Sequence, residues 1–307
     1  MTRFILKLLL FAAPVAMALG VVERSLGGTP NAYTIRRGLI DRTIDRAEVI
    51  VTGSSHAYYG IRGPSLHPRT VSFAAPSQDL YYDSRLVAKY IGRMARVKLA
   101  VVTVSYFSME AVLDQGIEAW RSPFYARVFG IPHYDRLPRV GDESWIAAFG
   151  ADETRRFVAR GALRPIEPLD DAGGFGGYQA GDANAAAHDT AAIVRHHGGM
   201  RAGNLARNTG YLNDLVGELR RRHIAVALVT TPCSPAYYEH MDEAAYARMQ
   251  AAVIGLAAAW RVEYRSYLKD SRFEWDDFRN ADHLSTPGAL KFTRLLKADV
   301  VDKYVRE

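Results

Sequence analysis

Short, continuous apolar runs alternate with longer amphipathic stretches along most of this chain. Apolar runs bounded by turn residues are typical of interior parallel strands, whereas an apolar period of 3.6 residues is typical of helices. We predict five strands, at residues 47–53, Thr70–Ala75, Leu99–Tyr106, Ile224–Thr231 and Val262–Leu268. We predict helices at 79–96, 143–161, 202–222, Glu243–Trp260 and 287–304. This alternation predicts an α/β fold with a central parallel sheet of about five strands and helices on both faces.

Residues 108–200 interrupt the alternation between the third and fourth predicted strands. They contain weak helical pieces and a glycine-rich stretch at 171–184. These glycines are not expected to bind phosphate, because no strand precedes them and no Lys-Ser/Thr pair opens a helix after them. We therefore predict a large insertion after the third strand that forms a cap or faces the substrate.

The N-terminal segment is predicted to target the chain to a membrane. Arg3 and Lys7 precede an apolar run, and positive charge in this position predicts a cytoplasmic N-terminus with the rest of the chain outside. Ala16-Met17-Ala18 matches a signal-peptide cleavage site, whereas Phe4–Val22, about 19 residues, is long enough to remain as an anchor. We expect an anchor or signal peptide at 1–24, a linker at 25–45 and an α/β domain at 46–307.

The composition is that of a folded globular protein, with 49% hydrophobic and 23% charged residues, so a wholly disordered chain is excluded. The net charge of +6 comes from scattered basic residues, and the densest cluster, Arg220-Arg221-Arg222, lies on a predicted helix. We therefore expect no nucleic-acid partner. The single cysteine, Cys233, follows a predicted buried strand and is expected to pack rather than react.

A group of histidines at 188, 196 and 197 lies close to Asp189. Its spacing matches no standard zinc pattern, and its surroundings are polar and glycine-rich. We expect surface histidines here, and the sequence predicts no metal and no cofactor.

The strongest candidate for chemistry is the turn Gly53-Ser54-Ser55 at the end of the first strand. A serine at such a turn lies where ligands meet open α/β sheets, beside backbone N–H groups that favour an oxyanion. Its hydroxyl needs a base from elsewhere, and His283, directly before the last helix, is the candidate. Because the strand ends that bear loops share one edge, we expect Ser55, Ser77, Ser105 and His283 to converge.

Gly53-Ser54-Ser55 and the late Asn280-x-x-His283 together resemble the SGNH (GDSL-like) hydrolase superfamily, and within it the membrane-anchored, DltD-like branch. The resemblance covers about residues 45–305. It implies a three-layer, flavodoxin-like α/β fold in which Ser55 is the nucleophile and His283 the general base. The family pattern has Asp where this chain has Asn280.

The missing aspartate leaves three possibilities open. Asp282 or Asp277 substitutes from the same loop, a backbone carbonyl orients His283, or the protein is catalytically feeble and kept for binding. In the serine-protease triad, the change from Asp to Asn lowers kcat by roughly 10⁴. We expect His56 to point away from the site along the helix start, and Ser54 to cap or support the turn.

The family also draws oxyanion-hole donors from the loops after the second and third strands, commonly a Gly and a Gly-x-Asn, and neither is present in those loops of this chain. The backbone N–H of Ser55 is the first candidate here, followed by donors from Ser77 or Ser105.

By resemblance, the chain is expected to be an extracytoplasmic serine esterase or O-acyltransferase. Its expected substrates are acyl esters, for example acetyl esters, of cell-surface or exported polysaccharide. The expected location is the bacterial inner membrane, single-pass, with the domain facing the periplasm. The expected partners are the glycan or acyl-ester substrate, a membrane acyltransferase, and the membrane itself through the N-terminal segment. The alternative is a catalytically weak binding or accessory subunit of an envelope polysaccharide-modification system.

Overall fold

The protein is built on a five-stranded, wholly parallel sheet. The computed structural model describes residues 2–132, 144–164 and 190–305. The strands are β1 (Val49–Thr52), β2 (Thr70–Ser72), β3 (Leu99–Thr103), β4 (Ala225–Thr230) and β5 (Glu263–Ser266). Their spatial order is β2-β1-β3-β4-β5, which is the order of a flavodoxin-like doubly wound sheet. The predicted fold class is therefore confirmed.

Both faces of the sheet are buried, which explains why the inner strands are continuous apolar runs. Val51, Val101 and Val229 share one apolar cluster with Phe292 of the last helix. The alternate residues of the same strands point to the other face and are also buried, among them Ile50, Val102 and Leu228. Since side chains alternate along a strand, full burial requires helices on both faces.

The described residues fall into two compact units. The larger contains the sheet, over residues 36–119 and 190–305, and the smaller contains residues 2–35, 120–132 and 144–164. The helices of the larger unit are Ser55–Gly60, Gly63–Leu66, Leu80–Tyr90, Ala191–Gly199, Leu205–Arg221, Pro235–Tyr238, Glu243–Trp260 and Thr286–Asp299. The smaller unit has Thr2–Gly28, Ser122–Phe124 and Trp145–Arg160, and Ala32–Thr43 begins in it and ends in the larger unit.

Within the smaller unit, the first helix is docked against the helix Trp145–Arg160. The Glu23 carboxylate accepts hydrogen bonds from the backbone N–H groups of Trp145 (2.6 Å) and Ile146 (3.0 Å), where it also meets the positive end of the helix dipole. Among the described residues, Thr2–Gly28 is the helix long and apolar enough to cross a membrane. A signal sequence meets the same requirement.

The expected linker and the expected insertion can be compared with the structure over their described residues. Within the expected linker at 25–45, the structure has a helix over Ala32–Thr43. The expected insertion at 108–200 is described in part, and its helix Trp145–Arg160 agrees with the predicted 143–161. The glycine-rich residues 171–184, with His188 and Asp189, lie outside the described residues.

Candidate active site

The turn after β1 depends on a glycine. Gly53 has φ +137°, a conformation that side chains of L-residues rarely adopt. A Cβ at this position would lie 1.8 Å from Thr103 Oγ1 on the neighbouring strand. The tight turn ends β1 and lets the helix Ser55–Gly60 begin at once, with Ser54 as its N-cap residue. Ser55 is thus the first helical residue, half-buried, with its N–H at the helix N-terminus.

A buried polar cluster supports this turn from the loop after β2. Gln78 Nε2 donates to Asp83 Oδ1 at 2.6 Å and to the Phe73 carbonyl at 3.0 Å, and it lies 3.5 Å from the Gly53 carbonyl. Thr52 Oγ1 also donates to Asp83. Burial raises the pKa of Asp83 to about 6, although these hydrogen bonds oppose the rise. The turn therefore depends on an acid that is protonated near pH 5 and ionised near pH 7.

We expect Asp83 to make stability depend on pH. Its pKa is raised on folding, so its contribution is fully present below the unfolded pKa of about 4 and is lost as the pH rises through about 6. The loss amounts to about 3 kcal/mol at most. Urea denaturation at pH 4 and pH 7 measures it, and Asp83→Asn should flatten the profile by that amount. Parallel profiles for the two proteins would contradict the role given to Asp83.

The histidine of the late loop is held by a short, closed hairpin. Phe278 and Leu284 form an antiparallel bridge, and the Arg279 N–H donates to the His283 carbonyl at 2.8 Å. Asn280 Oδ1 accepts from the His283 backbone N–H at 2.9 Å. Asn280 therefore fixes the backbone of His283, and its side chain does not serve as the partner of the imidazole.

Asp282 is the carboxylate next to that imidazole. It is buried, with 1% exposure, and its Oδ1 lies 3.4 Å from His283 Nδ1. Burial alone would raise its pKa, but the imidazoles of His283, His56 and His196 outweigh burial and hold the pKa well below its usual range. Asp282 is thus ionised at neutral pH.

Asp277, the other candidate to replace the missing aspartate, has a structural role. Its Oδ2 accepts from Lys291 Nζ at 2.6 Å and from the Glu274 N–H at 3.0 Å. Asp282 is therefore the acid of this loop that the structure brings to the imidazole.

His56 faces the site, and the expectation that it points away was wrong. Its Nδ1 is hydrogen-bonded to Ser105 Oγ at 3.0 Å, and its Nε2 lies 3.6 Å from Asp282 Oδ2. Ser54 Oγ lies 3.3 Å from Ser105 Oγ. The helix Ser55–Gly60 is short and packs on the last helix, so its first turn faces the late loop. Among the described residues, a polar line thus runs from Ser54 through Ser105 and His56 to Asp282.

His196 also belongs to this site, although the sequence placed it on the surface. Its Nδ1 is 2.6 Å from the Tyr237 hydroxyl, and its Nε2 is 3.7 Å from Asp282 Oδ2. Burial lowers the pKa of His196 to about 3. His197, the next residue, is exposed as expected. The sequence signal that could have located His196 is its place on the buried side of the helix Ala191–Gly199, beside Ala192 and Ile193.

The oxyanion-hole candidates differ in how they are placed. Ser77 lies at φ 58°, in a turn closed by a hydrogen bond of 3.1 Å from the Gln78 N–H to the Ala75 carbonyl. The Ser105 N–H already donates to Ser108 Oγ at 2.9 Å, which leaves its hydroxyl as the group turned toward the site. Ser55 lies at the helix start. The structure joins Ser105 to His56, whereas Ser55 and Ser77 stand outside the polar line.

The fold and the site together define a doubly wound α/β protein with serine, histidine and aspartate side chains at the carboxyl edge of its sheet. No family model matches the chain, and no curated protein matches it. Several solved structures are similar in outline.

Three of these structures are an acetyl xylan esterase, a protein named as an acylhydrolase from Bacteroides fragilis, and a GDSL-like lipase from Bacteroides thetaiotaomicron. The esterase has 10% identity and a TM-score of 0.41, over 82% of this chain and 99% of its own. The acylhydrolase has 10% identity and a TM-score of 0.39, over 83% of this chain and 86% of its own. The lipase has 9% identity and a TM-score of 0.42, over 88% of this chain and 98% of its own. Likeness at this level assigns neither a family nor an activity.

Proposed function

We propose that this chain is a serine esterase or O-acyltransferase of the SGNH type, with Ser55 as nucleophile and His283 as general base. The observation that supports it most is the buried, ionised Asp282, whose Oδ1 lies 3.4 Å from His283 Nδ1. A carboxylate on that side favours the tautomer with the proton on Nδ1 and leaves Nε2 as the base. Catalytic hydrogen bonds are commonly long before substrate binds and tighten in the complex. In this proposal Asp282 orients the His283 imidazole, which the Asn280 side chain does not do.

In the proposed reaction, Ser55 Oγ attacks the ester carbonyl carbon while His283 Nε2 takes the hydroxyl proton. The Ser55 N–H, at the helix start, stabilises the oxyanion of the tetrahedral intermediate. Collapse of the intermediate breaks the C–O bond to the alcohol, which receives the proton from His283. The acyl group then passes from Ser55 to water or to a glycan hydroxyl. Exclusion of water from the site decides between hydrolysis and transfer.

Access to solvent favours Ser55 over the two neighbouring serines as nucleophile. Ser54 and Ser105 are 3% and 2% exposed, their hydroxyls lie 3.3 Å apart, and that of Ser105 is hydrogen-bonded to His56. Ser55 is half-buried and begins the helix, so a substrate carbonyl can reach it. We therefore assign Ser54 and Ser105 to the support of the site.

The proposal includes a location and a substrate class. Arg3 and Lys7 precede the apolar part of the helix Thr2–Gly28, which favours an N-terminal anchor with the rest of the chain on the extracytoplasmic side. Together with the resemblance of the two motifs, this location favours acyl esters of surface or exported polysaccharide as substrates.

The test is labelling by a fluorophosphonate, read as intact mass on the full chain in mild detergent with EDTA present. We expect one adduct on the unaltered protein and on Ser54→Ala, and none on Ser55→Ala, because only an activated serine attacks phosphorus quickly.

Two other outcomes would change the assigned nucleophile or the proposed function. An adduct that persists in Ser55→Ala and disappears in Ser105→Ala would assign the nucleophile to Ser105, with His56 as its base. No adduct on the folded, unaltered chain would leave the binding or accessory subunit as the function.

A further inference from the structure

Among the residues that the structure describes, the buried Asp282 carboxylate has no hydrogen bond of normal length. Among the described residues, its neighbours are His283 Nδ1 at 3.4 Å, His56 Nε2 at 3.6 Å, His196 Nε2 at 3.7 Å and Arg195 Nη2 at 3.7 Å. Charge-assisted hydrogen bonds are about 2.7–2.9 Å long. Within the part of the chain that the structure describes, neither Asp282 oxygen nor His56 Nε2 has a hydrogen-bond partner at normal distance. Burying an ionised carboxylate in this way is costly unless something else satisfies it.

The spacing of these atoms is that of ligands around one metal ion. His56, Asp282 and His283 each offer a donor atom, and the three donors lie within 4.8 Å of one another. Zinc bonds of about 2.0–2.1 Å in tetrahedral geometry place neighbouring ligand atoms roughly 3.3 Å apart. His283 Nδ1 lies 3.4 Å from Asp282 Oδ1, and His56 Nε2 lies 3.6 Å from Asp282 Oδ2, so each imidazole is close to that separation from one of the two carboxylate oxygens.

The ring nitrogens of His56 and His196 that face away from Asp282 are held as in metal sites. His56 Nδ1 is bonded to Ser105 Oγ at 3.0 Å, so its Nε2 is directed at the carboxylate. His196 Nδ1 is bonded to the Tyr237 hydroxyl, which likewise leaves its Nε2 on the Asp282 side. Partners on the far nitrogen fix the orientation and tautomer of histidine ligands.

We propose that His56 Nε2, the Asp282 carboxylate and His283 Nδ1 bind a zinc ion. Three protein ligands leave a fourth position open, and His196 Nε2 lies beside the same carboxylate. Imidazole and carboxylate donors suit zinc, whereas calcium and magnesium prefer sites of oxygen alone.

Zinc binding itself does not depend on Ser55 being a nucleophile, but one consequence rests on the proposed function. Zinc on His283 Nδ1 keeps the imidazole proton on Nε2, where the base lone pair is needed. Bound zinc should therefore prevent His283 from activating Ser55 as a nucleophile, and removal of the zinc by EDTA should restore the reactivity of Ser55.

The experiment uses the full chain in detergent, stripped with EDTA, dialysed against zinc chloride and analysed for bound metal. We expect one zinc per chain, unaffected by excess magnesium. Asp282→Asn and His56→Gln should bind at least roughly tenfold more weakly, because each removes a ligand. His197→Gln, which changes an exposed neighbour on the same helix as His196, should bind as the unaltered protein does.

A further variant serves in case the buried ones fail to fold. Arg195 is 41% exposed and its guanidinium competes for the same oxygen, so Arg195→Gln should fold and bind zinc several-fold more tightly. Absence of bound zinc in the folded chain, or equal binding by folded Asp282→Asn, would overturn the proposal. Unchanged binding in Arg195→Gln would do the same. Labelling of Ser55 in EDTA is scored separately, so either hypothesis can fail alone.

Discussion

Asp282→Asn is expected to lower kcat for ester hydrolysis by roughly 10³–10⁴-fold, with a smaller effect on KM. The amide cannot favour the Nδ1–H tautomer of His283 or stabilise the imidazolium that forms when Ser55 loses its proton. The same change in the serine-protease triad costs about 10⁴. The measurement is the rate of hydrolysis of an activated acetyl ester, with EDTA present so that metal does not contribute.

Asp277→Asn is the matched control, because it makes the same chemical change in the same loop. Asp277 bonds Lys291 Nζ and the Glu274 N–H, so its loss should cost some stability and leave kcat within a few-fold. The opposite pattern, a slow Asp277→Asn and an active Asp282→Asn, would refute the assignment of Asp282. Circular dichroism on both variants shows that the comparison is made on folded protein.

Gly53→Ala is expected to destabilise the protein by about 2–6 kcal/mol, a large part of the 5–15 kcal/mol that usually stabilises a domain. Two causes add. An L-residue at φ +137° is strained by about 1–3 kcal/mol, and the new Cβ would lie 1.8 Å from Thr103 Oγ1, which costs a similar amount. The midpoint of urea denaturation measures the sum.

Two further variants separate these causes. Gly92→Ala is the control, because no atom lies within 4 Å of its Cβ and its φ is ordinary, so its midpoint should hardly change. Adding Thr103→Ala to Gly53→Ala removes the closest contact and should recover the steric part only. Equal midpoints for Gly53→Ala and Gly92→Ala would show that the turn tolerates a side chain.

Most of the fold was predictable from the chain, because its inner strands β1, β3 and β4 are buried on both faces. Such strands are recognisable as apolar runs without reference to the rest of the structure. The prediction for Leu99–Tyr106 contains β3, and the helix Glu243–Trp260 has the predicted bounds. The helix Ala32–Thr43 escaped prediction because its glycine, its arginines and its lack of a clear apolar period resemble a linker.

The candidate site was predictable only in its location. Ser55 and His283 are candidates because turns after parallel strands share one edge, a rule that follows from topology, and because their two motifs resemble the SGNH pattern. The partnership of His283 with Asp282 could not be chosen over Asp277, because the bridge between Phe278 and Leu284 directs those two carboxylates differently.

The alternation of apolar runs with amphipathic stretches determined the buried inner strands, the parallel sheet and the edge where chemistry is possible, because apolar residue types indicate which segments are buried. Folding in three dimensions determined which polar groups meet there. His56 and His196 are brought to one carboxylate by the packing of a short helix and of a helix within the insertion, at distances of 3.6 and 3.7 Å. No local period encodes such a meeting, because the direction of a side chain depends on what its helix packs against.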